Sequence, residues 1–348
     1  MENQEVKHQR RVRYKGTHPR NYHEKYKELN PEKYGDTVAK VIRKGSTPAG
    51  MHISICVKEI LDFFDIQPGQ KGLDATLGYG GHTLEMLKRL KGEGHIFGLD
   101  VDPIESAKTK ERLEKQGYGP DMLTVKLLNF ANIDQVGAEE GPFDFDLADL
   151  GVSSMQIDNP DRGFSYKIDG PLDLRLNPQK GMTAAERLKA CDTEELAGMM
   201  MENADEPYAQ EIASAVISEI RRGNPMDTTR QLREVIEKTL AFIPEKERKE
   251  AVKKSCQRSF QALRIDVNSE FEVLYQFLEK LPDVLKDGGK AAILTFHSGE
   301  DRLVKKSFKQ LYKQGVYREI SKDVIRPSAE ECNRNSRARS TKMRWAIK

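Results

Sequence analysis

The chain has 348 residues, 37% of them hydrophobic and 32% charged, with a formal net charge of +2. That length supports one large domain or two smaller ones around a real core, and the recurring aliphatic and aromatic residues exclude a disordered chain. No apolar run approaches the ~18 residues of a membrane span, the opening MENQEVKHQRRVRYKG lacks a signal-peptide core, and four scattered cysteines (Cys56, Cys191, Cys256, Cys332) without a CxxC exclude a disulfide scaffold or zinc ribbon and fit a reducing cytoplasm.

Residues 1–50 are polar, with Tyr and His scattered among Lys and Arg and no clean apolar period. They read as a weakly ordered basic arm ending in the linker STPAG. From residue 51 the pattern becomes regular. ISICVKEILDFFD predicts an amphipathic helix stopped by QPG (67–69). A short strand over 72–75 follows, then the turn TLGYGGH and a helix in TLEMLKRL. HIFGLD (95–100) is a second strand, and DPIESAKTKERLEK is a helix with Asp102 and Pro103 in cap and first-turn positions. LTVKLLN (123–129) and FDFDLADL (143–150) are the third and fourth strands. Strand, glycine turn, helix, strand, helix, strand is the pattern of an α/β fold with a parallel sheet.

Over 157–256 that rhythm breaks. A loop rich in turn residues, NPDRGFSYKIDGPLDLRLNP, leads into helices with no strands between them. TAAE (183–186) and TTRQ (228–231) have capping-box spacing, and Ile212, Val216 and Ile220 share one face of a helix ending at Gly223. This reads as an all-helical insertion. Over 257–348 the α/β pattern resumes. SEFEVLYQFLEKLPDVLKDGG predicts a helix with a capping box at Ser269 and Glu272 and an end at Gly288 and Gly289. KAAILTFHS is a buried strand. In the last strand, STKMRWAIK, Met343, Trp345 and Ile347 alternate with Lys342 and Arg344, whose basic side chains are expected to face outward.

Laid along these elements, the charge is strongly partitioned. Residues 1–50 hold 12 Lys/Arg and 6 Asp/Glu (+6), residues 51–301 hold 31 and 45 (−14), and residues 302–348 hold 14 and 4 (+10). Basic ends on an acidic body can meet a polyanion such as RNA, because each Lys or Arg near a phosphate releases counterions. Charge alone fits solvated tails equally well.

The stretch Leu73-Asp74-Ala75-Thr76-Leu77-Gly78-Tyr79-Gly80-Gly81-His82 carries the most chemistry. A glycine turn from a strand into a helix lets backbone approach a ligand and aims helix N–H groups at it. It is not the dinucleotide fingerprint G-x-G-x-x-G, because residue 83 is Thr. Asp74 precedes the turn, and Asp100 ends the second strand, placed to accept hydrogen bonds from ribose hydroxyls. That set serves NAD or S-adenosylmethionine. The acid before the turn and the missing third glycine favour S-adenosylmethionine, whose sulfonium and amino-acid groups need acidic and polar partners rather than a phosphate cradle. Asp149 ends the fourth strand, before Gly151-Val152-Ser153-Ser154-Met155-Gln156. An acid there fits a methyl-transfer site with the donor on one side and an acceptor nitrogen on the other, with a helix cap as the plain alternative.

The motifs DATLGYGGHT, GLDVDP, LNFANID, DLGVSSMQID, RGFSYKIDGPLDLRLNP, FQALRIDVNSE, TFHSGEDR and NSRARSTKMR occur in this order. Over about residues 52–348 the chain therefore resembles the MraW/RsmH family of S-adenosylmethionine-dependent methyltransferases. That family methylates the exocyclic N4 of a cytidine in bacterial small-subunit (16S) rRNA near the decoding site. The resemblance implies a class I, Rossmann-like methyltransferase core with a mostly parallel sheet, interrupted by the helical insertion. It implies cofactor contacts at Gly80, Gly81 and His82, at Asp100, at Phe130 beside the adenine, and at Asp149 and Gln156. His82 taken alone reads equally as a buried structural histidine. The implied partner is 16S rRNA or the small ribosomal subunit, with no membrane and no DNA. The oligomeric state stays open, a homodimer included.

The chain also departs from the family pattern. About 50 basic residues precede Met51-His52, Ile53-Ser54-Ile55 stands where the family has Pro-Val-Leu, Gly299 replaces a Leu in TFHSGEDR, and the segment after that motif is short. These are the marks of a divergent copy with an N-terminal extension.

A cytosine N4 is a poor nucleophile that needs a hydrogen-bond acceptor, in-line placement and exclusion of water, not a covalent adduct. Asp149 is the candidate for orienting the amine, with Asp169 and Asp173 as weaker ones. Phe164 and Tyr166 are candidates for stacking the extruded base, against core packing. Arg162, Arg175 and Arg264 are candidates for phosphate contact, against internal ion pairing. His297, Ser298 and Asp301 lie within five residues of one another in TFHSGEDR and cannot form a hydrolase triad. No histidine has metal-ligand spacing with Cys or Glu, so no metal is expected. The alternatives are methyl transfer to another RNA, an RNA-binding assembly factor without turnover, a nicotinamide-dependent dehydrogenase, and methyl transfer to DNA or protein, with the absent Asp/Asn-Pro-Pro-Tyr motif counting against DNA.

Overall fold

Apolar runs such as HIFGLD and KAAILT need a sheet covered on both faces. The computed structural model, which describes residues 54–348, has that sheet; the arm expected over 1–50 lies outside the described residues. The strands are β1 (Lys71–Asp74), β2 (His95–Asp100), β3 (Leu123–Leu127), β4 (Phe143–Asp149), β5 (Leu285–Thr295), β6 (Glu319–Ile320) and β7 (Lys342–Ile347). Their order is β3-β2-β1-β4-β5-β7-β6, with β1 to β5 parallel and β7 antiparallel to both its neighbours. The order reverses between β1 and β4, and ligands of open α/β sheets bind beyond the carboxyl ends of the strands at such a switch point.

Helices α1 (Val57–Phe64), α2 (Gly81–Leu90) and α3 (Pro103–Lys115) accompany one apolar cluster, which holds Ile60, Phe64, Met86, Leu87, Leu113, Phe145 and Leu147. A second cluster holds Leu73, Phe97, Leu99 and Phe143. It takes in Ile133 and Val136 of α4 (Ile133–Glu140), Phe277 and Leu281 of α11 (Glu270–Val284), and Val304 and Phe308 of α12 (Ser298–Lys313). Neighbouring residues of β4, Leu147 in the first cluster and Ala148 in the second, show that both faces are used. After the one-and-a-half-turn α5 (Ser154–Asp158), no strand forms until β5. Helices α6 (Ala184–Ala190), α7 (Thr193–Ala204), α8 (Ala209–Arg221), α9 (Thr229–Thr239) and α10 (Glu245–Val267) build a third core around Leu188, Met200, Ile212, Val216, Ile236 and Leu263. The short α13 (Ala329–Arg334) precedes β7.

Local chemistry explains these starts. Asp102 caps α3 with its side chain on the N–H groups of Ile104 and Glu105, and Pro103 takes the first helical position. The capping boxes at Thr183/Glu186 and Thr228/Gln231 are both formed. Others differ from expectation. Ser269 does not cap α11: only Asn268 and Ser269 separate α10 from α11, and that tight link holds Ser269 at φ 49, where a cap's extended backbone is impossible. The same helix ends at Val284, before the two glycines, because Leu285 already pairs with Phe143 and the residues of Gly288 and Gly289 belong to β5. The break expected at 256/257 falls inside α10. In β7 the basic side chains turn inward: Arg344 is buried and it and Lys342 both bind Asp301. Both faces of the strand are covered: Ala346 belongs to one apolar cluster and Met343 to the other, and α12 brings Asp301 to the face that carries Lys342 and Arg344.

Candidate active site

Three carboxylates stand at the switch point. Asp74 closes β1, fully buried, with Oδ2 accepting from the Thr83 hydroxyl at 2.5 Å and Oδ1 from the Thr76 N–H at 3.1 Å. Burial raises its pKa. Asp100 closes β2; its Oδ2 accepts from the Gly78 N–H and its Oδ1 from the Asp102 N–H, each at 2.8 Å. These bonds tie the glycine turn to the second strand and fix the carboxylate beside it. Burial pushes Asp100 up to about 6, against the backbone N–H of Asp102. Gly80 is the cap residue before α2, at φ 68, and a Cβ there would meet the Thr109 methyl at 2.7 Å, so only glycine brings this turn so close to α3. Gly81 is the first residue of α2.

Asp149 closes β4 with its N–H on the Thr76 hydroxyl at 2.6 Å. Its Oδ1 is buried without a partner, and its Oδ2 lies 3.5 Å from His82 Nδ1. Burial pushes it up to about 6, and His82 opposes the shift. His82 is itself buried, and its Nε2 is 2.8 Å from the Ile55 carbonyl. A carbonyl only accepts, so Nε2 carries hydrogen and Nδ1 is the atom turned to Asp149. His82 is buried, as its structural reading has it, and it also faces the Asp149 carboxylate. Phe130 opens a 3₁₀ turn after β3, half-buried, its ring edge-on to Phe277 at 5.1 Å.

Gln156 lies in the first turn of α5. Its Oε1 accepts from the Ser153 N–H, and its Nε2 donates to Asp102 Oδ2 at 3.2 Å. Asp102 is the residue that sequence reasoning undervalued. It was legible as a helix cap, but its other oxygen also accepts from Arg162 at 2.6 Å, with both groups buried. Arg162 goes on to donate to the carbonyls of Arg175 and Leu176. One carboxylate therefore fastens α3, α5 and the long loop together beside the cleft, through partners 54 and 60 residues away.

The residues expected to touch RNA are mostly engaged within the protein. Arg162 is buried in that ion pair. Arg175 grips Asp173 with two nitrogens, each 2.7 Å from an oxygen, and so occupies Asp173 as well. Arg264 is held in the same two-pronged way by Glu270. Phe164 is part of the helical core, and Tyr166 packs against that core, edge-on to Phe260 at 6.1 Å. Asp169 pairs with Arg230 at 3.1 Å. A guanidinium beside a buried carboxylate is fixed by it, which is why these arginines do not reach outward.

Folding also gathers ligating atoms that sequence spacing kept apart. Cys56, Glu59 and Glu331 form one group within 4.8 Å, and Glu270, His297 and Glu300 form another. Arg264 already neutralises Glu270, and Glu331 accepts from the Cys56 N–H. Gly299 has a local reason: a Cβ there would meet the Phe271 ring at 2.6 Å, and that ring packs against His297.

The MraW methylase family model matches residues 49–348. The chain belongs to this family. It is 72% identical over 347 residues to Ribosomal RNA small subunit methyltransferase H 1 of Lachnoclostridium phytofermentans, covering 100% of this chain and 95% of that one. It is 66% identical over 348 residues to Ribosomal RNA small subunit methyltransferase H 2 of Alkaliphilus metalliredigens, covering 100% of each. Both alignments run the length of the chain, basic arm included, whereas the family model begins at residue 49. Among solved structures, a putative rRNA-methylase from Clostridium thermocellum is similar with a TM-score of 0.40 and 12% identity, covering 85% of this chain and 97% of that one. As a MraW-family member the protein is an S-adenosylmethionine-dependent rRNA methyltransferase, and the family's activity is at the exocyclic N4 of cytidine.

Proposed function

We propose that the carboxyl edge of β1, β2 and β4 holds S-adenosylmethionine and presents it to a cytidine N4 of small-subunit rRNA, in the cytoplasm, with Asp149 as the catalytic residue. The observation that carries this reading is the buried, unpartnered Oδ1 of Asp149. A buried acceptor without a donor is unfavourable in the free protein and becomes satisfied when a ligand N–H arrives.

The residues present fit the cofactor. Gly80 and Gly81 bring the turn's backbone to the start of α2, where helix N–H groups can meet it, Asp100 retains free lone pairs for ribose hydroxyls beyond its two backbone bonds, and Phe130 offers a ring flank for the adenine. Gln156 supports the cleft from α5. The bound cofactor supplies an electrophilic methyl next to a sulfonium, and a cluster of acids is the environment a sulfonium needs. Asp149 accepts a hydrogen bond from the exocyclic amine through Oδ1, which aims the nitrogen lone pair and takes up positive charge as the C–N bond forms. His82 faces the other oxygen, so the Asp149–His82 pair can hold the released proton at Oδ1, Oδ2 or Nδ1. Thr76 fixes the backbone beneath it.

The direct test is mass-spectrometric mapping of modified nucleosides in small-subunit rRNA from a deletion strain, complemented with wild type or Asp149→Ala. Loss of one N4-methylcytidine, restored only by wild type, is expected. An unchanged N4-methylcytidine would remove the target while leaving the reaction class.

A further inference from the structure

Several exposed lysines on the described helices pair with an acid one turn away. On α3, Lys108, Lys110 and Lys115 pair with Glu105, Glu114 and Glu111, and on α10 Lys253 pairs with Glu250. Helix α12 is different. Arg302, Lys305, Lys306, Lys309 and Lys313 are all exposed, and none has a hydrogen bond or ion pair with any described residue. The acids of this helix, Glu300 and Asp301, sit in its first turn. Both are buried, Glu300 capping the helix and Asp301 binding Lys342 and Arg344.

The spacing of the five cations is helical. At 3.6 residues per turn they fall within an arc of about 100°, and from Arg302 to Lys313 they extend ~17 Å along the axis. Tyr312, 49% exposed, lies at the edge of the same face. Five like charges without acids repel one another, so they lower the stability of the free protein slightly and are relieved by an anionic partner. The partner must be extended and repetitively charged to meet all five. Regularly spaced phosphates with bases available for stacking on an exposed ring meet that description. The stripe also begins near the site. Asp149 pairs with Leu294 of β5, and α12 starts at Ser298, four residues on, so its first turn rises from the same carboxyl edge of the sheet.

We infer that the exposed face of α12, through Arg302, Lys305, Lys306, Lys309, Lys313 and Tyr312, is a docking surface for the phosphate backbone of the rRNA substrate, leading away from the nucleotide held at Asp149. This rests on the rRNA reading above. It also locates part of the +10 charge of residues 302–348 on one helix face.

The test compares the full-length wild type with Lys305→Ala/Lys306→Ala/Lys309→Ala and with Lys246→Ala/Lys249→Ala/Lys254→Ala on α10, which removes the same charge from exposed positions among glutamates. Binding to protein-free small-subunit rRNA is measured from 0.05 to 0.5 M NaCl, and S-adenosylmethionine binding is measured for each protein. The α12 variant is expected to keep its cofactor affinity and to lose roughly two units of salt slope, with affinity about 100-fold weaker at 0.1 M salt and converging on wild type as salt rises. The α10 variant is expected to follow wild type. An α12 variant whose slope matches wild type, or matches the α10 variant, overturns the surface. A loss seen with assembled subunits but not with protein-free rRNA assigns the stripe to an acidic protein and also overturns it. A wild-type chain that neither binds nor methylates the rRNA overturns the rRNA reading itself, a result distinct from the failure of the stripe alone.

Discussion

The acidic edge of the sheet and the basic face of α12 use charge in opposite ways. Asp74, Asp100 and Asp102 are buried or nearly so, and most of their oxygens are fixed by named donors: a Thr hydroxyl, backbone N–H groups, an amide and a guanidinium. Asp149 shares the edge but leaves one oxygen without a donor. The cations of α12 are exposed and without partners among the described residues. Buried charge in a low-dielectric site acts through geometry, so one atom decides the outcome and salt matters little. Exposed charge acts collectively, so each residue contributes little and salt decides. Activity should therefore be lost abruptly at the edge and gradually along the helix.

The largest expected effect is at Asp149. Asp149→Ala should lower kcat by about 10²–10⁴-fold, the range for a positioned proton acceptor, while S-adenosylmethionine still binds measurably by calorimetry. A variant with wild-type kcat would place the acceptor elsewhere and erase the contrast. Next is Arg162. Removing it leaves Asp102 as a buried, half-compensated charge, so Arg162→Ala should destabilise the protein by about 3–5 kcal/mol, read as a lower urea midpoint. Asp102→Ala combined with Arg162→Ala should cost less than the two single changes added together. A neutral Arg162→Ala would mean that this arginine is free for RNA after all.

A smaller effect is expected from pH. Asp100 and Asp149 are both raised to about 6 by burial. Their charged forms are the ones that serve a sulfonium and accept an N–H, so activity should be complete above that value and fall as pH drops through it. Below pH 6, kcat/KM should decline about ten-fold per unit for each proton required. Asp100→Asn should leave one fewer titration in the profile and raise the KM for S-adenosylmethionine. A flat profile between pH 5 and 8 would show that neither carboxylate has to be ionised.

The contrast between the regions also governs what could be read from the sequence. The parallel core, the turn at Gly78–Gly80, Asp100 and Asp149 were legible because each is encoded locally: a strand, its terminal acid and a glycine turn lie within a few residues. The three-way role of Asp102 was not, because a capping aspartate looks the same whether its second oxygen faces water or Arg162. For Arg175 and Arg264 the sequence left phosphate contact and internal ion pairing both open for the same reason; their acids, Asp173 and Glu270, were visible in the sequence, but not the two-pronged geometry. In β7 the alternation was real, yet its meaning depended on α12 lying over the face that carries Lys342 and Arg344 and supplying Asp301, which is a property of the tertiary packing. The stripe on α12 was visible only as an excess of charge in residues 302–348, and its face emerged once the helix and its buried acids were in place.

The smallest expected effect tests whether every buried acid belongs to the functional edge. Asp146 lies in the middle of β4, wholly buried, with neither carboxylate oxygen hydrogen-bonded. Burial raises its pKa well above 3.8, with Asp74 adding to the shift, and in turn Asp146 helps raise the phenol of Tyr317, itself buried with an unpaired hydroxyl. A folded-state pKa above the unfolded one means that the native protein binds the extra proton. Stability is then greatest below about pH 4 and declines as pH rises toward the folded value. Asp146→Asn keeps the shape and removes the titration. It should match wild type near pH 4 and melt higher at pH 8, by roughly 2–4 °C for each kcal/mol recovered, with kcat unchanged, because Asp146 is several residues down the strand from the cleft. A fall in kcat without a change in melting temperature would instead bring Asp146 into the active edge, and the division between catalytic and structural acids on β4 would have to be redrawn.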